Sequence, residues 1–171
     1  NRLVGSEMCI RDRKYSCCLY DEDNKDLNSA EIFMLDKYLD RADIKSNQEI
    51  LDLGCGWGSF TLHAAKKFPQ SNFTSISNSK DQIDFINARA TALNLTNVKA
   101  IRQNINELNL DKKFDRIVSI EMFEHMRNYK ELMKQISDLL VEDGKLFVHI
   151  FCHKNSTCLL YTSDAADDDT R

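Results

Sequence analysis

The chain has 171 residues, the length of a single domain, and 42% of them are hydrophobic. Its 23 Lys and Arg against 27 Asp and Glu give a formal net charge of −4, and no basic cluster of the kind that binds nucleic acid is present. No apolar run is long enough to span a bilayer, so we expect neither a nucleic-acid partner nor an integral membrane segment.

The two ends of the chain carry a coding signature that is unrelated to folding. Cys158–Ser163 reads "CLLYTS", and one codon choice for it, TGTCTCTTATACACATCT, has a reverse complement that encodes Met-Cys-Ile-Arg-Asp in a shifted frame. The same five residues stand inside "EMCIRDR" at 7–13. Two segments encoded by opposite strands of one DNA element indicate translated sequencing adapter. We therefore expect residues 1–13 and most of 155–171 not to belong to the folded domain.

Cysteine spacing argues against a metal centre and against a disulfide framework. Four cysteines remain between the two ends, at Cys17, Cys18, Cys55 and Cys152. They form no C-x-x-C pair, so we predict no metal site. An adjacent pair and two scattered thiols are typical of a reducing compartment, which indicates a cytoplasmic protein.

Apolar periodicity predicts a helix and then a strand in the first third of the chain. Asn28 and Glu31 have the spacing of a capping box, which places a helix start at Asn28. The apolar residues of this helix share one face: Ile32, Leu35, Tyr38 and Leu39. "EILDLGC" at 49–55 is a short apolar strand that runs into glycines, and a second helix is predicted from about 59 to 68.

Strands and amphipathic helices then alternate to the end of the domain. β-branched and aromatic residues predict strands at 72–78, 98–103, 114–121 and 145–152. Ser79 and Gln82 form another capping pair before a helix whose apolar face comprises Ile83, Ile86, Ala90 and Leu93. The strongest stripe, predicted to be core, comprises Tyr129, Leu132, Met133, Ile136, Leu139 and Leu140. Gly144 is expected to end that helix in a left-handed conformation.

This alternation predicts a doubly wound, Rossmann-like α/β fold. Crossover helices make the strands mostly parallel and cover both faces of the sheet. We expect an N-terminal segment and helix at 14–48 to cover the ligand site, and a ligand-binding core at 49–154 whose fifth strand is the last before the adapter. Ligands of such sheets lie at the carboxyl ends of the strands near the switch point, so the loop after the first strand is the candidate site.

That loop, "LDLGCGWGSF" at 51–60, contains three glycines, Gly54, Gly56 and Gly58. No Gly-Lys-Ser/Thr follows them, which excludes a P-loop and its nucleoside triphosphates. A dinucleotide fingerprint is Gly-x-Gly-x-x-Gly, and the spacing here differs. The glycine spacing therefore argues against an NAD-binding oxidoreductase, and taken alone it is weak evidence.

Five segments, in order along the chain, resemble the Rossmann-like S-adenosylmethionine-dependent methyltransferases. They are "KYSCCLY" (14–20), "LDLGCGWGSF" (51–60), "SNSKDQ" (77–82), "IEMFEHM" (120–126) and "LFVHIFCHK" (146–154). Within that class the chain is similar to the branch of cyclopropane-fatty-acid synthases and plant coclaurine N-methyltransferases. The resemblance implies N-methylation of a small-molecule amine, with methylene transfer to an unsaturated lipid acyl chain as the alternative. An inert truncated fragment is the remaining alternative.

The resemblance implies S-adenosylmethionine as cofactor and assigns residues around it. Asp52 is expected at the methionine ammonium, and the glycines allow close backbone approach to a ligand that has no phosphate. The second strand ends in Ser77 and Asn78, which take the sugar in this branch where the general class has an acidic residue. The other expected cofactor residues are Tyr15, Ser16, Gln82, Asn104, Ile105 and Ile120. Gln82 could instead serve only as a cap, and both isoleucines as plain core.

Three polar residues follow the fourth strand where substrate must lie: Glu121, Glu124 and His125. An amine is mostly protonated at neutral pH, so its methylation needs a base, and the branch carries its active-site acid at Glu124. Cyclopropane synthases hold a bicarbonate base with residues that correspond to Cys17, Glu124 and His149, so bicarbonate is expected only for the lipid reaction. Solvated loop residues at Glu121 and His125, and a core histidine at His149, are the alternative interpretation.

Overall fold

The structure is a computed structural model that describes residues 16–23 and 25–151. The expected adapter segments, Tyr15 and Cys152 lie outside these residues. The elements are α1 (Leu27–Arg41), β1 (Glu49–Leu53), α2 (Ser59–Lys67), β2 (Asn72–Ser77), α3 (Lys80–Ala92), β3 (Val98–Arg102), β4 (Phe114–Ile120), α4 (Tyr129–Leu139) and β5 (Leu140–His149). None of the helices in this described part of the chain is both long and apolar enough to cross a membrane.

The five strands form one sheet in the order β3-β2-β1-β4-β5, and every neighbouring pair is parallel. The doubly wound α/β fold predicted from the sequence is therefore confirmed. The winding direction reverses at β1, which pairs with β2 on one side and with β4 on the other. The switch point lies between β1 and β4, and the loops that follow these two strands leave the same edge of the sheet.

Alternation along the strands divides the core between the two faces of the sheet. Ile50 of β1 and Val118 of β4 pack with α1 and α2 on one face. Leu51 and Ile117, one residue along, pack with α4 on the other face. Strands buried on both faces are apolar at nearly every position, which is why their sequences are continuous apolar runs.

The start of α1 differs from the sequence prediction. Asp26, and not Asn28, is the N-cap, since its Oδ1 accepts hydrogen bonds from the backbone N–H groups of Asn28 (3.0 Å) and Ser29 (3.1 Å). This shift of two residues leaves Leu35, Tyr38 and Leu39 on the buried face, as predicted. Ile32 is 43% exposed, so its inclusion in the core stripe was wrong.

The junction between α4 and β5 also differs from prediction. Gly144 lies inside β5 and has no positive φ, because α4 already ends at Leu139 and the strand begins at Leu140. The pairing with β4 is irregular there, with Leu140 opposite Phe114 and Lys145 opposite Arg116. Of the predicted core stripe, two members face outward, Tyr129 (49% exposed) and Met133 (45% exposed).

A buried arginine ties the end of α1 to β4. Arg116 is 7% exposed, and its Nε donates to the carbonyl oxygens of Ala42 (3.1 Å) and Asp43 (3.2 Å). Its Nη2 donates to Asp43 Oδ2 at 2.9 Å. Hydrogen bonds from Lys45, Lys145 and Arg116 hold the pKa of the Asp43 carboxyl well below its usual range. One buried guanidinium therefore binds both the backbone and the side chain of the turn after α1.

We expect Arg116→Ala to lower the free energy of unfolding by roughly 2–4 kcal/mol, because it leaves two carbonyls and a carboxylate without their buried donor. Lys45→Ala is the matched control, since Lys45 also binds Asp43 but is 66% exposed. An exposed ion pair contributes at most about 1 kcal/mol. Urea denaturation of both variants tests the difference, and equal losses would contradict the role given to Arg116.

Candidate active site

The loops that follow the strands meet at the carboxyl edge of the sheet. The glycine turn follows β1, Ser77 ends β2, and Glu121 follows β4 directly. His149 ends β5 and is paired with Ile120 across the two strands. Because all the strands are parallel, most of the residues singled out from the sequence lie at this one edge.

The three glycines after β1 all have positive φ but serve different purposes. A Cβ on Gly54 would lie 2.5 Å from Met122 Cγ, and one on Gly58 would lie 2.6 Å from Ile86 Cγ1. These two glycines permit close packing inside the protein. A Cβ on Gly56 would meet no atom within 4 Å. Gly56 is therefore the glycine whose backbone borders open space, where another group can approach it closely.

Asp52, expected at the ligand, is buried near the end of β1. Its Oδ2 accepts a hydrogen bond from Thr61 Oγ1 at 2.6 Å, and the residue is only 2% exposed. Burial raises the pKa of Asp52 to about 7, although hydrogen bonds from Thr61 act in the opposite direction. Alternation along β1 explains this orientation, since Asp52 faces the same side as Ile50. Asp52 thus joins β1 to α2 through Thr61, and its expected contact with the ligand stays a prediction.

A polar pair stands at the end of β2. Ser77 Oγ donates to Gln82 Oε1 at 2.6 Å and accepts from the backbone N–H of Ser79 at 3.1 Å. Ser79 caps α3, as predicted, through the N–H of Gln82. The Gln82 side chain, however, binds Ser77 and does not complete a capping box. Asn78 is exposed, and its carbonyl oxygen accepts from Arg102 Nε at 2.9 Å.

The remaining expected cofactor residues lie around the same edge. Asn104 is exposed and caps the 3₁₀ turn at Ile105–Glu107 by accepting from the N–H of Asn106 at 3.0 Å. Ile105 is half-buried, with Cδ1 3.9 Å from the position of a Cβ on Gly54. Ile120 packs against the core on the α1 face, and Ser16 is half-buried.

Cys17, Glu121 and His149 form a compact cluster beside β4 and β5. The backbone N–H of Cys17 donates to Glu121 Oε1 at 3.1 Å, and Cys17 Sγ lies 4.0 Å from His149 Nε2. His149 Nδ1 lies 3.6 Å from Glu121 Oε1. One possible ligand atom from each residue lies within 4.8 Å of the other two. Cysteine, glutamate and histidine can all bind metals. The spacing of the cysteines in the sequence did not indicate this cluster.

Glu121 holds its place in this cluster with an unusual backbone. Its φ is +51°, whereas the other non-glycine residues with positive φ in the described chain are Asp43, Asn47 and Asn94. Aspartate and asparagine tolerate this conformation, but for glutamate it costs about 1–3 kcal/mol. Its N–H donates to the His149 carbonyl at 2.8 Å, which fixes the turn. Strain of this kind is characteristic of functional sites.

Glu124 lies outside that cluster. It belongs to the 3₁₀ turn Phe123–His125, where its Oε1 accepts from the backbone N–H of Phe151. Its Oε2 is buried and has no hydrogen-bond partner in the part of the chain that is described. His125, next on the turn, is exposed. The structure thus brings Glu121 to Cys17 and His149, a grouping that was not predicted, while the expected joint role of Glu124 with Cys17 and His149 stays a prediction.

A doubly wound parallel sheet with a glycine turn after β1, a polar pair after β2 and an acidic turn after β4 defines a Rossmann-like methyltransferase domain. The chain belongs to the mycolic acid cyclopropane synthetase family, which matches residues 7–163.

Relatives of two kinds are similar to this chain. (S)-coclaurine N-methyltransferase of Papaver somniferum is 42% identical over 154 residues, which cover 90% of this chain and 44% of that protein. Cyclopropane mycolic acid synthase 1 of Mycobacterium tuberculosis (strain ATCC 25177 / H37Ra) is 30% identical over 138 residues, 79% of this chain and 47% of that protein. The chain therefore spans less than half the length of these relatives.

A solved structure is also similar. The crystal structure of coclaurine N-methyltransferase bound to N-methylheliamine and SAH matches with a TM-score of 0.80 and 43% sequence identity. The match covers 82% of this chain and 42% of that one.

We expect Glu121→Gly to be more stable than Glu121→Ala by about 1 kcal/mol, the reverse of the order found at ordinary positions. Both variants lose the hydrogen bond to Cys17, so their difference isolates the left-handed backbone. Thermal or urea unfolding of the pair measures it. An alanine variant that equals or exceeds the glycine variant in stability would show that Glu121 is not strained.

Proposed function

We propose that the protein transfers a methyl group from S-adenosylmethionine to the nitrogen of a small-molecule amine. Membership of the family supports the cofactor, and the 42% identity to a coclaurine N-methyltransferase supports the amine. The structural observation that carries the choice of acceptor is the carboxylate of Glu121 beside Cys17 and His149.

The residues at the glycine turn suit this cofactor. When bound, S-adenosylmethionine supplies an electrophilic methyl group on a sulfonium. Gly56 lets the backbone approach the ligand closely, and Ser77 and Gln82 offer polar groups for its ribose. The adenine is proposed to lie against Asn104 and Ile105. We propose further contacts from Ser16, Asn78 and Ile120, and from Tyr15, which lies outside the described residues.

The acidic turn after β4 suits a basic acceptor. A protonated amine must lose its proton before nitrogen can attack, so a base has to stand near it. Glu124 is half-buried and keeps one oxygen without a hydrogen-bond partner among the described residues, so we propose that this oxygen accepts the amine proton. His125, exposed on the same turn, is proposed as the second group that contacts the amine. The charge of Glu121 attracts the ammonium form to the site.

That charge also favours an amine over a lipid acceptor. The lipid reaction requires bicarbonate, which by resemblance is held by Cys17, Glu124 and His149. Here a second carboxylate, that of Glu121, also lies beside Cys17 and His149. Two like charges at 4 Å repel by about 4 kcal/mol at an effective dielectric constant of 20, and a cationic amine gains attraction of the same order. The additional carboxylate therefore supports the amine.

Cyclopropane synthesis on an unsaturated acyl chain is the second candidate. It is favoured by the Cys17 Sγ–His149 Nε2 pair at 4.0 Å, two of the three residues that hold bicarbonate in the resembling enzymes. In that reaction the transferred carbon leaves a carbocation, which must lose a proton to close the ring. The amine therefore loses a proton before methyl transfer, whereas the lipid loses one after it.

We also propose a cytoplasmic location. The sequence has an adjacent cysteine pair, Cys17 and Cys18, and scattered cysteines without C-x-x-C spacing. This pattern is typical of a reducing compartment.

We expect Glu124→Gln to lower turnover of an amine about 10²–10⁴-fold, the usual contribution of a positioned base. Raising the pH should partly restore the rate, because solution then deprotonates the amine before it binds. Affinity for S-adenosylhomocysteine should not change. Glu142→Gln, an exposed acid on β5, is the control and should retain full activity.

The same assay decides between the two acceptors. The wild-type protein and Glu124→Gln receive coclaurine or vesicles of an unsaturated phospholipid, each with and without bicarbonate. The amine proposal predicts a methylated amine at a rate that bicarbonate does not affect. A lipid product with a cyclopropane ring, formed only with bicarbonate, would contradict it and support the second candidate.

A further inference from the structure

Tyr38 of α1 is a fully buried tyrosine whose hydroxyl reaches the active-site cluster. The residue is 0% exposed, and its ring packs against Phe147 and His149 with centroid distances of 6.0 and 5.3 Å. Its hydroxyl oxygen lies 3.2 Å from His149 Nδ1. A buried phenol almost always has a polar partner, and here that partner is a side chain of the proposed active site.

The hydroxyl acts as a fixed neutral dipole. Burial is the main cause that raises the pKa of Tyr38 above its usual range, and the neighbouring Cys17 and Glu121 side chains act in the same direction. Hydrogen bonds with the side chains of Cys17 and Ser16 also reach this phenol. A neutral phenol can donate one hydrogen bond and accept others. Tyr38 can therefore orient its neighbours without exchanging protons itself.

The two nitrogens of His149 have different surroundings. Nδ1 faces the Tyr38 hydroxyl at 3.2 Å and Glu121 Oε1 at 3.6 Å, whereas Nε2 faces Cys17 Sγ at 4.0 Å. A neutral imidazole carries its proton on one nitrogen, and the carboxylate favours a proton on the Nδ1 side. A separation of 3.6 Å is too long for a hydrogen bond, so the acceptor of that proton is the Tyr38 oxygen.

We propose that Tyr38 is a positioning residue that accepts the Nδ1–H of His149 and thereby keeps the Nε2 lone pair directed at Cys17. This inference rests on the proposed function, in which the Glu121 carboxylate of the same cluster attracts the ammonium form of the acceptor. The lone pair then faces Cys17, the exposed member of the cluster. Without the hydroxyl, the ring loses the partner that fixes its tautomer.

Tyr38→Phe tests the proposal, because it deletes only the hydroxyl and keeps the ring in the core. Nitrogen-15 spectra of histidine-labelled protein, recorded where the ring is neutral, report which nitrogen carries the proton. His149→Gln assigns the signals. We expect Nδ1–H in the wild type and a shift towards Nε2–H in Tyr38→Phe. Tyr129→Phe is the control, since its hydroxyl donates to the Phe123 carbonyl at 2.8 Å, and it should leave the tautomer unchanged.

Kinetics supply the second measurement. We expect Tyr38→Phe to lower kcat about 10- to 100-fold, as loss of a histidine's orienting partner does, with KM for the amine unchanged. An Nε2–H tautomer in the wild type, or a tautomer that Tyr38→Phe does not alter, would overturn the proposal. The spectra need neither cofactor nor substrate. A tautomer shift in a protein without methyl transfer would therefore overturn the proposed function and leave the orientation of His149 by Tyr38 established.

Discussion

The reversal of winding at β1 is the constraint on which the rest of the structure depends. β1 pairs with β2 on one side and with β4 on the other. The helices that follow β1 and β4 therefore cover opposite faces of the sheet, and the loops after these two strands diverge at its carboxyl edge. The glycine turn stands on one side of this edge and Glu121 on the other. The proposed cofactor site at the end of β1 and the proposed acceptor site at the end of β4 are therefore separate but adjacent.

The fold was predictable from the sequence, because strands buried on both faces are continuous apolar runs and their alternation with helices permits few topologies. Positions set by contacts distant in sequence were less predictable. Asp26 and Asn28 are both good caps, and only the structure shows which one the helix uses. Gly144 was expected to end a helix, but pairing between β5 and β4 draws it into a strand. The hydrogen bond between Thr61 and Asp52 was not predicted, because the sequence does not show which face of β1 Asp52 occupies.

The candidate site was also only partly predictable, because its geometry depends on contacts between residues that are distant in sequence. The sequence singled out Cys17, Glu121 and His149 individually, but it grouped Glu124 with the cysteine and histidine by resemblance. The left-handed backbone that brings Glu121 into the cluster has no local signal in the sequence. Tyr38 was correctly predicted as core from periodicity. Its hydroxyl bond to His149 was not predictable, because the two residues are 111 positions apart and meet only through the packing of α1 on β5.

The central claim is that the open space beside Gly56 receives S-adenosylmethionine. Calorimetric titration with S-adenosylhomocysteine tests it most directly, with NAD as the competing ligand and Gly56→Val as the variant that fills the space. We expect micromolar binding of S-adenosylhomocysteine to the wild type, about −8 kcal/mol, and no binding to a Gly56→Val variant that still unfolds cooperatively. Binding of NAD without any response to S-adenosylhomocysteine, or equal affinity in the folded variant, would contradict it.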